Sequence, residues 1–365
     1  MKIIRLGTYK TGFTYYKVKS KGTGKGKCEA KVEITDSREI EKIKELKIPP
    51  AYENVTILNN KKIIAYGYDS KNRKQVLYHP SFVATQNIKK YNKISASIKF
   101  FSKLKKKVSE DLNGNGGNGN EKTMAIAVII SLILSCGFRI GNKKYEKDNN
   151  SVGLTTLKYK HLAFKENKVI IDFIGKKGVR NVAECDNKRI YDYLYHKQAT
   201  AMSNAKDTQD INDINETYIF NYGGNERSER SEVREANKVI SSSDVNEYLR
   251  VISDPYSIII TTKDLRTWNA NMLFLTYYRK LQKLRKRTSK RREASDGKTD
   301  TKKDTEVAEA VAEAVAVAEA KTAKEVEKDI KKAIEMVAEK LHNSYSICKK
   351  SYIDPKIIDE LLLKN

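Results

Sequence analysis

One stretch limits what this chain can fold into more than any other. Met124–Cys136 is apolar almost throughout, interrupted only by Ser131 and Ser135, although 32% of the chain is charged. It is too short to span a bilayer. A helix apolar on every side is a buried one, so it predicts a core built around it. At 365 residues the chain can supply that core and a second domain as well. The run delivers Cys136-Gly-Phe-Arg139-Ile-Gly-Asn-Lys-Lys-Tyr145. An arginine in that place is either a surface charge or a group held rigidly, and rigidity is what a phosphate clamp needs.

Charge names the class of partner. Lys and Arg number 71 against 46 Asp and Glu, a net charge of +25. Such an excess is the footprint of a polyanion binder, nucleic acid before anionic membrane. The cysteines Cys28, Cys136, Cys185 and Cys348 form no CxxC pair, and His79, His161, His196 and His342 show no metal spacing. Neither a zinc site nor a disulfide framework is expected. The opening Met-Lys-Ile-Ile-Arg-Leu-Gly is too short and polar for a signal peptide, so an intracellular, reducing setting is the expectation.

In chain order, residues 1–84 read as a small β-rich domain. Strands are expected at Phe13–Val18, Cys28–Ile34, Asn54–Leu58 and Ile63–Tyr68. Asp36-Ser-Arg-Glu39 resembles a capping box opening a helix with Ile40, Ile43 and Leu46 on one face, ended by Pro49-Pro50. Lys21–Lys27 is a glycine-rich basic loop without Walker A spacing. Asp69–Pro80 reads as a charged hairpin whose Lys71, Arg73 and Lys74 suit phosphates and whose Gln75 suits an adenine edge. An ordinary solvated hairpin would look the same.

Residues 85–365 read as mostly helical with a small antiparallel sheet. A helix is expected from Ile94 through Leu112, and a loop over Asn113–Asn120. Strands follow at His161–Phe164, Val169–Ile174 and Val179–Glu184, with Lys176 at the tip of the second hairpin. A helix pattern follows Asp186, and the polar Ser203–Glu216 looks like loop. Asp244 should open a helix, and Arg266 falls near the start of another that runs through Leu284. Lys286–Glu327 is a low-complexity linker whose Ala and Glu favour helix; it reads as a protruding segment, with a helical hairpin arm as one form it could take, and without chemistry. Val326, Ile330, Ile334, Val337 and Leu341 then form one helical stripe.

That stripe leads to Leu341-His-Asn-Ser-Tyr-Ser-Ile-Cys-Lys-Lys-Ser-Tyr352-Ile-Asp-Pro355. Nearby cations would stabilise both the phenolate of Tyr352 and a phosphodiester it attacked. The chain has 21 tyrosines, so Tyr352 alone carries little weight.

Arg139, Lys176, Arg266 and Tyr352 together have the order and setting of the type IB DNA topoisomerases, and the chain resembles most the compact poxvirus and giant-virus members. The resemblance is carried by Ile48-Pro-Pro-Ala-Tyr-Glu-Asn-Val, Gly67-Tyr-Asp-Ser-Lys-Asn-Arg-Lys-Gln, Cys136-Gly-Phe-Arg-Ile-Gly-Asn-Lys-Lys-Tyr, Val152-Gly-Leu-Thr-Thr-Leu, Lys263-Asp-Leu-Arg-Thr and Lys349-Lys-Ser-Tyr-Ile-Asp-Pro. It implies an α+β clamp: a small β-rich N-terminal domain and a mostly helical catalytic domain on opposite faces of duplex DNA. It implies that Tyr352 attacks the scissile phosphate to give a 3′-phosphotyrosyl link. Arg139 and Arg266 would hold the non-bridging oxygens, and Lys176 would protonate the leaving 5′-oxygen. DNA contacts are implied at Lys71, Arg73, Lys74, Gln75, Tyr78, Lys144 and Tyr145. Double-stranded DNA would be the partner of a monomer, with no cofactor, metal, ATP, small-molecule substrate or membrane required. A virion or host-cytoplasm location follows from resemblance alone.

Two positions depart from the pattern. The family usually has His nine residues before the nucleophile; here Asn343 stands there, with His342 one residue earlier. An amide N–H donates the same hydrogen bond without charge, which favours Asn343. At the hairpin Val76 replaces an aromatic. The rivals are a tyrosine recombinase, which usually carries His-x-x-Arg where this chain has Lys263-Asp-Leu-Arg266, and a non-enzymatic DNA-binding protein, which leaves the ordered set unexplained.

Overall fold

The computed structural model describes residues 2–21, 28–114, 120–203, 205, 207–223, 238–295 and 307–363. The chain divides into two compact units, Met1–Asn92 and Lys93–Asn365. Most of the glycine-rich loop Lys21–Lys27 and of the Asn/Gly stretch Asn113–Asn120 lies outside the described residues.

The first unit is built on a six-stranded antiparallel sheet. Its strands are β1 (Lys2–Thr8), β2 (Gly12–Lys21), β3 (Cys28–Glu33), then, after helix α1 (Ser37–Lys44), β4 (Glu53–Ile57), β5 (Ile63–Tyr68) and β6 (Lys74–Tyr78). The spatial order is β3-β2-β1-β4-β5-β6. β1, absent from the expected strands, is thus central. It escapes periodicity because Ile3 and Arg5 both point inward. The Arg5 guanidinium donates to the carbonyls of Pro49 at 3.0 Å and Tyr52 at 2.6 Å, and lies 4.2 Å from the centre of the Phe13 ring. Those partners offset the cost of burying it, and burial lowers its pKa. α1 is capped by Asp36, which accepts from the Arg38 N–H at 2.9 Å. The expected capping box does not close, because Glu39 pairs with Lys17 at 2.6 Å instead. Ile3, Tyr15, Ile43, Val55, Ile57 and Ile64 form this unit's core.

The helical pattern expected from Ile94 begins earlier, as α2 (Pro80–Ala96), with Pro80 at a first-turn position where its missing N–H costs nothing. A break at Ser97 separates it from α3 (Ile98–Leu112). α4 (Glu121–Cys136) is the apolar run, and Ala127, Val128, Ile129, Ile130, Leu132 and Ile133 are completely buried. Each large aliphatic among them contributes roughly 1.5–3 kcal/mol. After α5 (Lys143–Asn149) comes a sheet ordered β7 (Leu162–Lys165), β8 (Lys168–Ile174), β9 (Arg180–Cys185).

Helix α6 (Lys188–Ser203) follows. The polar stretch expected to be loop contains a second helix, α7 (Thr208–Asn215), because Asp207 accepts from the Asp210 N–H and starts it. A two-residue pair, β10 (Asn221–Tyr222) with β11 (Lys238–Val239), precedes α8 (Ser242–Ser253). Ser241, not Asp244, caps α8; Asp244 is the return partner of its capping box. α9 (Thr262–Ser295) runs well past Leu284, and α10 (Val307–Lys340) starts inside the expected linker, so much of that segment is helix. Residues 296–306 lie outside the described residues. The α10 stripe Val326, Ile330, Ile334, Val337 and Leu341 is buried with Phe274 and Tyr278 of α9. Arg285 reaches Asp329 at 3.3 Å and Glu325 at 3.6 Å. α11 (Tyr345–Ser351) and α12 (Pro355–Leu363) complete the unit, with Pro355 at the first position of α12, where its missing N–H costs nothing.

Candidate active site

The site assembles where the C-terminal ends of α4 and α10 meet the first turns of α9. α4 ends at Gly137, in the left-handed region at φ 68°. A Cβ there would lie 2.2 Å from the Lys340 carbonyl oxygen, so only glycine lets the two helix ends approach this closely. The chain then packs against the Val152-Gly-Leu-Thr-Thr motif, where Gly141 and Gly153 approach backbone to backbone. The Leu154 and Thr155 N–H groups donate to the carbonyls of Arg139 and Ile140 at 3.0 and 2.7 Å. The Val152 N–H donates to Ile174 at 3.0 Å. One motif therefore fixes both the Arg139 backbone and the strand leading to Lys176.

α10 ends in a Schellman turn: the Asn343 N–H donates to Ala338 at 2.9 Å and the His342 N–H to Glu339 at 3.0 Å. His342 takes the left-handed position at φ 51°. Its Nε2 lies 3.1 Å from the Cys136 carbonyl and its ring stacks on Phe138, with 5.2 Å between ring centres. Burial lowers its pKa. The turn sets Asn343 beside Arg139, whose Nη2 donates to the Asn343 Oδ1 at 2.5 Å. Ser344 then caps α11, and Tyr352 stands at its C-terminal end.

Arg266 lies in the second turn of α9 and is 4% exposed. A Thr261–Asp264 capping box starts that helix, and Lys93 holds Asp264 at 2.7 Å. Being in the second turn, Arg266 works through its side chain, because backbone N–H groups at that depth are bonded within the helix. Its guanidinium donates to the carbonyl of Gly137 and, at 3.1 Å, to that of Leu341. Its Nε is buried without a hydrogen-bond partner among the described residues. An unpaired donor of this kind is costly unless a ligand satisfies it.

The guanidinium carbon lies 5.3 Å from the centre of the Tyr352 ring. Burial by itself would raise the Tyr352 pKa, but the charges of Arg266, Arg139 and Lys176 outweigh it and the phenol is held below its ordinary value. Arg139, Arg266, Asn343 and Tyr352 are thus neighbours, and Lys176, exposed at its hairpin tip, lies within electrostatic reach.

Residues 71–357 match the family of the eukaryotic DNA topoisomerase I catalytic core. The chain belongs to the type IB DNA topoisomerase family. It is 29% identical to DNA topoisomerase 1B of Acanthamoeba polyphaga mimivirus over 263 residues, 72% of this chain and 70% of that protein. It is 30% identical to DNA topoisomerase 1B of vaccinia virus (strain Copenhagen) over 154 residues, 39% of this chain and 46% of that protein.

A further residue of this topoisomerase-family site was not foreseen from sequence. Asn271, 5% exposed on α9, donates from Nδ2 to the Tyr352 carbonyl at 2.8 Å and accepts at Oδ1 from the Asp354 N–H at 2.8 Å. It pins the backbone on both sides of Ile353. The signal is a pair of asparagines, Asn269 and Asn271, inside a helical stretch that is buried, where each amide must have partners; Asn269 donates to the Leu134 carbonyl at 2.8 Å instead.

The expected DNA contacts fall in two places. Lys71, Arg73, Lys74, Gln75 and Tyr78 belong to the β5–β6 hairpin of the first unit, where Lys74 lies over Tyr66 at 4.1 Å and Tyr78 packs near Phe82. Lys144 and Tyr145 are exposed on α5 of the second unit, Tyr145 to 64%. Among the described residues no helix is long and apolar enough to cross a membrane.

Proposed function

We propose that this chain relaxes supercoiled duplex DNA by cutting and rejoining one strand through Tyr352. Tyr352 gives its proton to solvent and attacks the scissile phosphorus as the phenolate, the bond to the 5′-oxygen breaks, and Lys176 supplies the proton that oxygen needs to leave as a hydroxyl. A 3′-phosphotyrosyl link remains, the freed strand rotates, and attack by the 5′-hydroxyl returns the phenol. Arg139 and Arg266 hold the non-bridging oxygens, whose charge grows in the transition state. Asn343 keeps one amide hydrogen for the same phosphate, with its carbonyl end committed to Arg139. Because the phosphotyrosyl bond stores the energy of the broken one, ATP is not required, and arginine and lysine supply the charge a metal would.

One observation carries the reading: the buried Arg266 guanidinium, its Nε unpaired among the described residues, lies 5.3 Å from the centre of the Tyr352 ring, in the same site as Arg139 held by Asn343. The viral relatives named DNA topoisomerase 1B support it. The hairpin residues and Lys144 and Tyr145 serve as DNA contacts, with residues 1–84 and 85–365 binding opposite faces of the duplex as a monomer. A viral protein of this kind works in the virion or the host cytoplasm. Incubation with negatively supercoiled plasmid in EDTA without nucleotide tests the reading. Relaxation is expected, and a strict need for Mg²⁺ or ATP would refute the mechanism.

A further inference from the structure

The turn between β5 and β6 is organised by one carboxylate. Asp69 Oδ1 accepts from the backbone N–H groups of Lys71 and Arg73, both at 3.0 Å, which shapes the turn. Asn72 takes φ 54° within it. Oδ2 makes contacts that the turn does not need. It accepts from Arg73 Nε at 2.8 Å and from Gln75 Nε2 at 2.9 Å. An ionised carboxylate only accepts, so the Gln75 amide can face it only through nitrogen. Asp69 stays ionised, because hydrogen bonding to Arg73 depresses its pKa to about 2.

The consequence lies on the other side of that amide. A free glutamine swaps donor and acceptor by turning its terminal torsion, which is broad and two-fold. Held by Asp69, Gln75 keeps Oε1 and one Nε2 hydrogen, side by side and in a fixed order. That order is the one a bidentate contact to adenine uses, accepting from N6 and donating to N7. Arg73, drawn to the same oxygen, balances the charge of Asp69 at the edge where Gln75 would meet a base.

We propose that Asp69 is a positioning residue for sequence preference: it locks the Gln75 amide in the one orientation that reads adenine in the major groove. The proposal rests on the reading that this hairpin contacts DNA.

Asp69→Asn separates the two roles of the carboxylate. The amide retains an oxygen for the Lys71 and Arg73 N–H groups but sets an NH₂ against the donors of Gln75 and Arg73. The probe is a duplex carrying the strongest cleavage site mapped on a plasmid fragment, remade with each flanking adenine in turn replaced by 7-deazaadenine, which lacks the N7 acceptor. Wild-type protein should show one position where the replacement slows cleavage about tenfold, the order of one bidentate base contact. Gln75→Ala and Asp69→Asn should both lose that sensitivity. The double variant should discriminate no worse than Gln75→Ala alone, since Asp69 acts through Gln75. A merely structural Asp69 would instead depress cleavage of both duplexes equally, in either background, and lower the unfolding temperature. If no position is sensitive in the wild type, or if Gln75→Ala keeps the sensitivity, the base-reading role of the hairpin falls. If Gln75→Ala loses it while Asp69→Asn keeps it, the role of Asp69 alone is overturned.

Discussion

Asn271→Ala should disable the nucleophile without touching a catalytic group. The substitution deletes the donor to the Tyr352 carbonyl and the acceptor for the Asp354 N–H, both 2.8 Å contacts. Two backbone polar groups are then left unpaired, and a buried unpaired group costs about 1–3 kcal/mol. If both stay in place the loss is roughly 2–6 kcal/mol. The cheaper response is for residues 352–354 to shift until water reaches them, which moves the Tyr352 oxygen. A displacement of about 1 Å costs a reaction on the order of 10²-fold. Single-turnover cleavage should therefore fall ~10²-fold at saturating protein, with non-covalent DNA binding nearly unchanged. Asn271→Asp keeps an acceptor for Asp354 but cannot donate to Tyr352, so its defect should be intermediate or equal. Wild-type cleavage by a folded Asn271→Ala protein would refute this reasoning.

Other substitutions separate the remaining roles. The Tyr352 pKa is lowered against burial chiefly by Arg266, so Arg266→Ala should raise it. The pH at which single-turnover cleavage levels off should then move upward, beyond a general loss of ~10²-fold or more; an unshifted profile would mean that Arg266 acts on phosphate alone. Lys176→Ala should slow cleavage by ~10²-fold, yet recover on a 5′-bridging sulfur substrate whose thiolate leaves without a proton. Equal defects on both substrates would show that Lys176 only binds phosphate. Replacing residues 289–321 by a short flexible loop spares Arg285, Glu325 and Asp329 and should preserve cleavage at low salt while weakening binding at higher salt. A large loss of low-salt cleavage from a folded protein would make that segment part of the catalytic machinery.

What the sequence disclosed depended on whether a residue's role follows from its neighbours in the chain. The burial of α4 was legible because an apolar run has one physical outcome, and β7–β9 because alternation and turn residues agree. β1 was hidden by Arg5, whose burial is tolerable only because carbonyls from residues 48–52 converge on it. α7 was hidden by its polarity, since a cap at Asp207 does not advertise a buried face. In the site, the order of Arg139, Lys176, Arg266 and Tyr352 was readable, but not what holds them. The bond from Arg139 to Asn343, the bonds from Arg266 to the carbonyls of Gly137 and Leu341, and the Asn271 bridge all join segments far apart in sequence. Nothing local records such partners.

The central claim is that Tyr352 becomes covalently joined to a 3′-phosphate. Trapping the protein on a suicide duplex labelled at the 5′ end of the scissile strand, digesting it and sequencing the nucleotide-bearing peptide tests this directly. The label should travel with the peptide containing Tyr352, and Tyr352→Phe should bind the duplex but form no adduct. An adduct on Tyr345, a link to a 5′-phosphate, or any adduct formed by Tyr352→Phe would contradict the account.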